Sequence, residues 1–347
     1  MNTKSVTRRS FIKKSAITAG IATMGSYGYV HSMSVPGKYM DKLPREVWIA
    51  CISQMGLQAK TPELMVEMII RILNDVVVYQ PDVICLPEVF PTSNIEQNLS
   101  LAEKVEKSGV ILELFSNFAK QHQCHIICPL YTSENGKVYN AGVVFDREGK
   151  NIGEYRKIHL TEGEIENGLT PGPLQPPVFH TDLGIIGIQI CFDIEWDDGW
   201  TKLRDQGAEI VFWPSAFAGG QAVNYKAIQH KYVVASSTRK NTAKLCDITG
   251  EVISQTGIWD RNYFCASVNL EKAFLHTWPY VSRFDEIREK YGRKVRITTF
   301  HEEEWSIIES LSPDIKVSDI LKEYELKTYE QLMQDSEVAQ IKARNGH

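Results

Sequence analysis

The chain has no excess of positive charge. Lysine and arginine number 38 against 43 aspartates and glutamates, a formal net charge of −5. No basic stripe stands out, so nucleic acid is not an expected partner. A cysteine framework is missing as well: the seven cysteines, at 51, 85, 124, 128, 191, 246 and 265, are scattered and odd in number, whereas disulfide scaffolds favour short chains and even counts. At least one thiol is expected to be free. There is no internal repeat and no low-complexity tract. "WPSAFAGG" is neither a phosphate loop nor the Gly-x-Ser-x-Gly elbow of serine hydrolases. The apolar N-terminal run "SAITAGIATMGSYGYV" is too short, and too rich in glycine, serine and threonine, to make a good membrane span. What is there is an ordinary globular composition, 43% hydrophobic and 23% charged over 347 residues, enough for one large domain or two small ones.

Residues 1–34 stand apart. "TRRSFIKK" (Thr7 to Lys14) sets Arg8 and Arg9 before Phe11 and Lys13, with the weakly apolar run behind them. This resembles a twin-arginine export signal, against the plainer reading of a floppy basic N-terminus. "VHSMS" offers a weak cleavage region. That export route carries folded proteins, which suits a chain whose free thiol must survive an oxidising compartment. The expectation is a signal peptide over 1–34, a linker over 35–46 and a periplasmic location, with no stable membrane insertion after export.

The body begins at "VWIACISQM", which reads as a buried strand. Thr61 and Pro62 open a helix as N-cap and first helical residue. "DVICLPEVF" is a second strand, "SLAEKVEKSGVILELFSNFAKQHQ" one or two helices, and "CHIICPLYT" and "NAGVVFD" strands joined by a hairpin at "ENGKVY". "LGIIGIQIC" and "EIVFWPSAF" read as strands, each followed by a helix, the second helix running through "NYKAIQHKYVVAS"; late strands follow at "AKLCDITGEVISQTG" and "NYFCASVNL". Helix-flanked strands mixed with hairpins argue for α/β layers with mixed sheets. From residue 271 the chain turns charged and aromatic and reads as amphipathic helices, a C-terminal extension.

In "IGIQICFDIEWDDGW" a thiol, Cys191, stands where an apolar strand ends and the chain turns acidic. A buried cysteine often only fills space. It becomes a nucleophile if partners are at hand, because a base takes its proton and a cation favours the thiolate. Two other strand ends offer such partners. Glu88 sits in apolar surroundings, which suits a general base or acid near neutrality. Lys157, in "EYRKIHL", supplies a fixed ammonium for an oxyanion. Taken singly, each has a plain alternative: a surface carboxylate, a solvated lysine, a packing cysteine.

Together the stretches "DVICLPEVF", "YNAGVVFDREGKNIGEYRKIHL" and "GIQICFDIEWDDGWTKLRDQGAEIVFWPSAF" resemble the carbon-nitrogen hydrolase (nitrilase) superfamily over residues 47–270. The resemblance implies a four-layer α-β-β-α sandwich and an enzyme without metal or organic cofactor. It implies Glu88 as general base, Lys157 as oxyanion stabiliser and Cys191 as nucleophile. It also implies a second glutamate, for which Glu162, Glu164 and Glu166 are available and spacing favours Glu164. The backbone N–H of Phe192 would assist the oxyanion. Phe192, Trp196, Ser215, Ala216 and Phe217 are candidates for the substrate pocket, with Trp196 and Trp200 equally able to pack. The expected reaction is hydrolysis of a small amide or N-carbamoyl compound through a thioester. Cys-Phe-Asp is similar to the amidase and carbamoylase branches, while nitrilases typically show Cys-Trp-Glu. A nitrile hydrolase, an acyltransferase and a non-catalytic binding protein remain the alternatives. This chain departs from the amidase pattern in having Asp198 where a glutamate is common, and Lys226, Gln229 and His230 where Arg, Glu and Asn are. A small-molecule substrate and a homodimer or higher homo-oligomer are expected. "HQCHIIC" brings His122, Cys124, His125 and Cys128 together, but alternation along a strand puts the cysteines on one face and His125 on the other, so packing is expected there rather than zinc. His159 near Lys157 invites a Cys-His dyad, without the signatures of papain-like enzymes.

Overall fold

The structure, a computed structural model, describes residues 42–346 except 260; the expected export signal lies outside the described residues. Twelve strands build the body. They are β1 (Glu46–Ile52), β2 (Val83–Cys85), β3 (His125–Glu134), β4 (Lys137–Phe145), β5 (Asn151–Arg156) and β6 (Phe179–Thr181), then β7 (Gly184–Ile188), β8 (Ile210–Ser215), β9 (Val233–Thr238), β10 (Lys244–Cys246), β11 (Val252–Gln255) and β12 (Tyr263–Asn269). They form two six-stranded sheets, ordered β12-β1-β2-β3-β4-β5 and β11-β10-β9-β8-β7-β6. Both are mixed: β1, β2 and β3 run parallel, as do β7, β8 and β9, and the outer pairings are antiparallel. The hairpin expected at "ENGKVY" is there: Asn135 and Gly136, both at positive φ, turn β3 into β4 as a two-residue loop with Glu134 opposite Lys137.

Alternation along the strands produces the layers. Ile49, Cys51, Val83 and Cys85 of the first sheet pack against Ile186, Ile188, Phe212 and Ala235 of the second. Their neighbours Ala50, Ile52 and Ile84 face outward onto Met65, Ile69 and Leu73 of α1 (Pro62–Val76) and Phe115 and Ala119 of α2 (Leu101–His122). Two short helices flank the far side. After α3 (Glu162–Glu166), α4 (Asp198–Asp205) and α5 (Gln221–His230) cover the second sheet, Trp200, Leu203 and Val223 packing on Val211, Trp213 and Val234. Helix, sheet, sheet, helix is the four-layer sandwich expected. Cys124, Ile126 and Cys128 share the outward cluster, and His125 turns instead to Asp182 (2.6 Å). Among the described residues no group of three metal-ligating side chains gathers, and no helix is long and apolar enough to cross a membrane.

The sheets are stitched together at one end. Ser237 of β9 donates its hydroxyl to Cys85 O (2.7 Å) and accepts from Ile52 N–H (3.1 Å), so one side chain holds β1, β2 and the opposite sheet. Beside it Gln54 N–H donates to Thr238 O (2.8 Å).

Two expectations need correcting. The helix read through "NYKAIQHKYVVAS" ends at His230, capped by Lys231 in the left-handed region. Val233 to Thr238 then form β9, which is fully buried; two adjacent β-branched valines favour the strand. The C-terminal extension is also not purely helical. β13 (Lys272–His276), β14 (Val295–Phe300) and β15 (Trp305–Ser310) form a third sheet, ordered β13-β15-β14. α6 (Phe284–Tyr291), α7 (Val317–Glu323) and α8 (Tyr329–Arg344) accompany it. Alternation decides again: Leu275 and Ile308 join a local core with Phe284 and Ile320, while Phe274 and Ile307 point into the core between the two large sheets.

Candidate active site

Each candidate residue stands just beyond a strand end. Glu88 follows β2, Lys157 follows β5, and Cys191 comes three residues after β7. All three are buried, at 2%, 1% and 8% exposure, so charge there must be paired. Lys157 Nζ lies 3.2 Å from Glu88 Oε1 and 2.9 and 2.8 Å from the two Glu164 carboxylate oxygens. Asn140, in the middle of β4, donates from Nδ2 to both carboxylates, to Glu88 Oε1 at 2.8 Å and to Glu164 Oε1 at 3.1 Å. Asn140 was not among the expected site residues; an amide interrupting an apolar strand is the signal that could have found it, because a polar group buried at such a place needs partners. Burial pulls the Lys157 ammonium down, but the charges of Glu88, Cys191 and Glu164 outweigh it and leave its pKa raised. Burial likewise pushes Glu164 up, and the charge and hydrogen bonds of Lys157 bring it below the usual carboxylate range.

Of the three acidic candidates in the loop after Lys157, Glu164 is the one that reaches the amine, while Glu162 and Glu166 are exposed. Glu164 is also the third residue of α3. Its Oε2 accepts the Thr161 N–H (2.9 Å) and the Thr161 hydroxyl accepts the Glu164 N–H (3.3 Å). This reciprocal capping box fixes the carboxylate before Lys157 meets it.

Cys191 opens a single 3-10 turn, Cys191–Glu195, with φ +47, a region a non-glycine residue seldom occupies. Asp193, fully buried, holds that turn. Its Oδ2 accepts from Ile190 N–H (2.8 Å) and the Tyr155 hydroxyl (2.7 Å), and its Oδ1 from His159 N–H (2.8 Å). The Trp213 indole donates to Cys191 O (3.0 Å). Val89, next to Glu88, is also left-handed, at φ +40, which is an outlier for a β-branched residue. Such backbone persists only where the surroundings over-determine it. The thiol is raised to about 11, first by burial and then by the Glu88 carboxylate, against the lowering charge of Lys157 and hydrogen bonds from Ala216 N–H and Ser215. Lys157 therefore does not make a resting thiolate, contrary to what the charge pattern suggests.

Around this centre the expected pocket residues divide. Ser215 and Ala216 touch the thiol. Phe217 packs edge-on against Trp213, ring centroids 5.4 Å apart. Phe192 meets Trp196 edge-on (4.8 Å), and Trp196, exposed on its other face, stacks on His159 (4.4 Å). Trp200 is core, with its indole N–H on Asp193 O (3.0 Å). His159 is engaged by Asp193 (3.1 Å) and Asp198 (3.4 Å). The carboxylate that meets Lys226, Gln229 and His230 is Asp197, at 2.9 Å from each, and not Asp198. The substituted positions thus form their own ion cluster, bracing the segment after Cys191 against α5. Besides Asn140, two further groups at the centre were not foreseen: Tyr131, on whose phenol the charges of Glu88, Arg239, Glu164 and Lys157 all act, and Arg239, 3.5 Å from Glu88 Oε2.

A thiol, a carboxylate able to take its proton and an ammonium beside both can attack a carbonyl carbon and hold the charge that develops. Comparison with known proteins points the same way. Residues 49–273 match the family model described as Carbon-nitrogen hydrolase. The deaminated glutathione amidase of Synechocystis sp. is 29% identical over 154 residues, 39% of this chain and 54% of that protein. The probable hydrolase YhcX of Bacillus subtilis is 36% identical over 141 residues, 38% of this chain and 27% of that protein. The chain therefore spans about half or less of these curated relatives. An amidase from Nesterenkonia sp. superposes with a TM-score of 0.60 at 15% identity, over 67% of this chain and 93% of that one, which is a likeness of fold.

Proposed function

Because the chain belongs to the carbon-nitrogen hydrolase family, we propose that this enzyme cleaves a small linear amide or N-carbamoyl compound through an acyl-enzyme on Cys191. The observation that carries the reading is the buried Lys157 ammonium, held between Glu88 and Glu164 and acting on the thiol of Cys191. In the first half-reaction Sγ bonds to the carbonyl carbon as its proton passes to Glu88. The oxyanion forms beside Lys157, which stays protonated. The carbon–nitrogen bond then breaks, the leaving nitrogen takes the proton from Glu88, and a thioester remains. In the second half-reaction Glu88 removes a proton from water as the water oxygen bonds to the same carbon. The carbon–sulfur bond breaks, the acid leaves, and the thiol is restored with that proton. Glu164 and Asn140 keep Lys157 and Glu88 in register throughout.

Cys-Phe-Asp after the strand supports an amide over a nitrile. The test is a panel of small amides, N-carbamoyl compounds and nitriles assayed for ammonia or amine release. Cys191→Ala should abolish release, and Glu88→Gln should slow it by about 10²-fold or more. Turnover surviving in Cys191→Ala would rule the mechanism out. Export on the strength of Arg8 and Arg9, and pairing into at least a homodimer, belong to the same reading; cell fractionation and light scattering check them.

A further inference from the structure

Lys231 takes no part in the reaction above, yet it is a half-buried amine in unusual company. It caps α5 in the left-handed region, at φ +58, and its side chain runs under the C-terminal extension. Nζ lies 4.2 Å from the ring centre of Phe274 on β13, 4.4 Å from that of Trp305 on β15 and 5.3 Å from that of Tyr329 on α8. Phe274 touches both other rings, at 5.2 and 5.6 Å, so the three make one wall. The ammonium's hydrogen bond goes to Ile228 O of its own helix. Among the described residues no carboxylate pairs with it; Glu330, exposed on α8, acts only through its charge. Burial therefore prevails and pulls the amine down to about 8.

A cation left this way costs free energy, and a pin between body and extension does not require that cost. It suits a nucleophile, because a desolvated lysine spends more of its time as the neutral amine. There is also room for something to attack. Lys231 opens onto a cavity of about 770 Å³ between α5 and α8, a size usual for small-molecule sites. Tyr225, Ile228, Trp305, Tyr329 and Met333 line it as well. Glu88, Lys157 and Cys191 do not, so this is not the hydrolase cleft.

We propose that the groove between α5 and α8 is a second site, independent of the thiol chemistry, in which Lys231 condenses with an aldehyde carried on an aromatic body. The nitrogen lone pair bonds to the carbonyl carbon. One N–H proton and one proton from solvent leave with the carbonyl oxygen as water, and an iminium remains. It keeps the positive charge, so the ring faces that meet the ammonium now attract the iminium, and the charge of Glu330 works in the same direction. The aromatic body lies along Tyr225 and Met333.

The test uses the full chain, 2-naphthaldehyde as the probe and cyanoborohydride to reduce the iminium to a stable secondary amine, located by peptide mass spectrometry. At neutral pH Lys231 should be modified faster than the average of the other lysines by about tenfold or more, since an ordinary lysine is almost wholly protonated there. 2-Naphthalenemethanol, of similar shape without the carbonyl, should slow the reaction at Lys231 alone, and saturably. Propanal, with the carbonyl and no ring, should lose most of the selectivity. Trp305→Leu should lower the modification of Lys231 and leave the other lysines as they were. Uniform labelling across the lysines overturns the proposal. So does labelling of Lys231 that the alcohol fails to slow, or that propanal matches, because the residue would then be a reactive amine with no site around it. The competition is read on the unaltered chain, so misfolding of a variant cannot decide it.

Discussion

Cys191 rests between opposed influences, and their sum decides how it reacts. Burial and the Glu88 carboxylate raise the thiol to about 11 against the pull of Lys157. That favours the protonated thiol at neutral pH, and on the proposed mechanism each attack then requires Glu88 to accept the proton in the same event. Simple alkylation lacks that choreography and follows the thiolate fraction. The iodoacetamide rate at Cys191, followed by mass spectrometry, should climb from pH 7 toward the thiol's pKa of about 11; a plateau near neutrality would mean a preformed thiolate. At this scale Glu88, Lys157 and Cys191 were legible because each is an unusual group at the tip of an apolar run. Val89 and Cys191 in the left-handed region were not, since glycine and asparagine are what announce that conformation and neither is present. Arg239 was hidden for another reason: beside Lys240 and Asn241 it looks like an ordinary polar loop residue.

Of the α-helices in the described residues, α3 is the shortest and bears most directly on chemistry. Its capping box spends Glu164 Oε2 on Thr161 while Lys157 holds both oxygens of the same carboxylate. Thr161→Ala should cost the helix about 1 kcal/mol and loosen Glu164 from Lys157. The expected result is a fall in kcat of roughly tenfold, about 1.4 kcal/mol of barrier, with far-UV circular dichroism little changed; an unaltered kcat would show that the cap does not position the site. Capping signals of this kind were readable at Thr61. β9 was not, because its valines continue the apolar spacing of α5 and no glycine or proline separates them. β14 and β15 were missed because the turn between them, "HEEE", carries charge in place of turn residues, with Glu304 at φ +57.

On the scale of the whole molecule the C-terminal extension belongs to the body. From Lys42 on, the chain forms one compact unit. Phe274 and Ile307 enter the core between the sheets, each worth about 1.5–3 kcal/mol of burial. Lys231, at the end of α5, sits over the rings of Phe274 (4.2 Å) and Trp305 (4.4 Å). Ending the chain at residue 270 should therefore yield insoluble or unfolded protein. Ending it at residue 332, within α8, which has no buried residue, should shift the urea midpoint by the equivalent of about 1 kcal/mol or less; equal tolerance of both cuts would make the extension a separable appendage.

Glu88 and Lys157 ride on one sheet, Cys191 and Arg239 on the other, and Ser237 is the stitch between them. On the proposed mechanism, the gap across which a proton would jump from sulfur to carboxylate is thus a property of the seam rather than of either half. Loss of the hydroxyl at 237 would let two otherwise intact half-sites drift out of step.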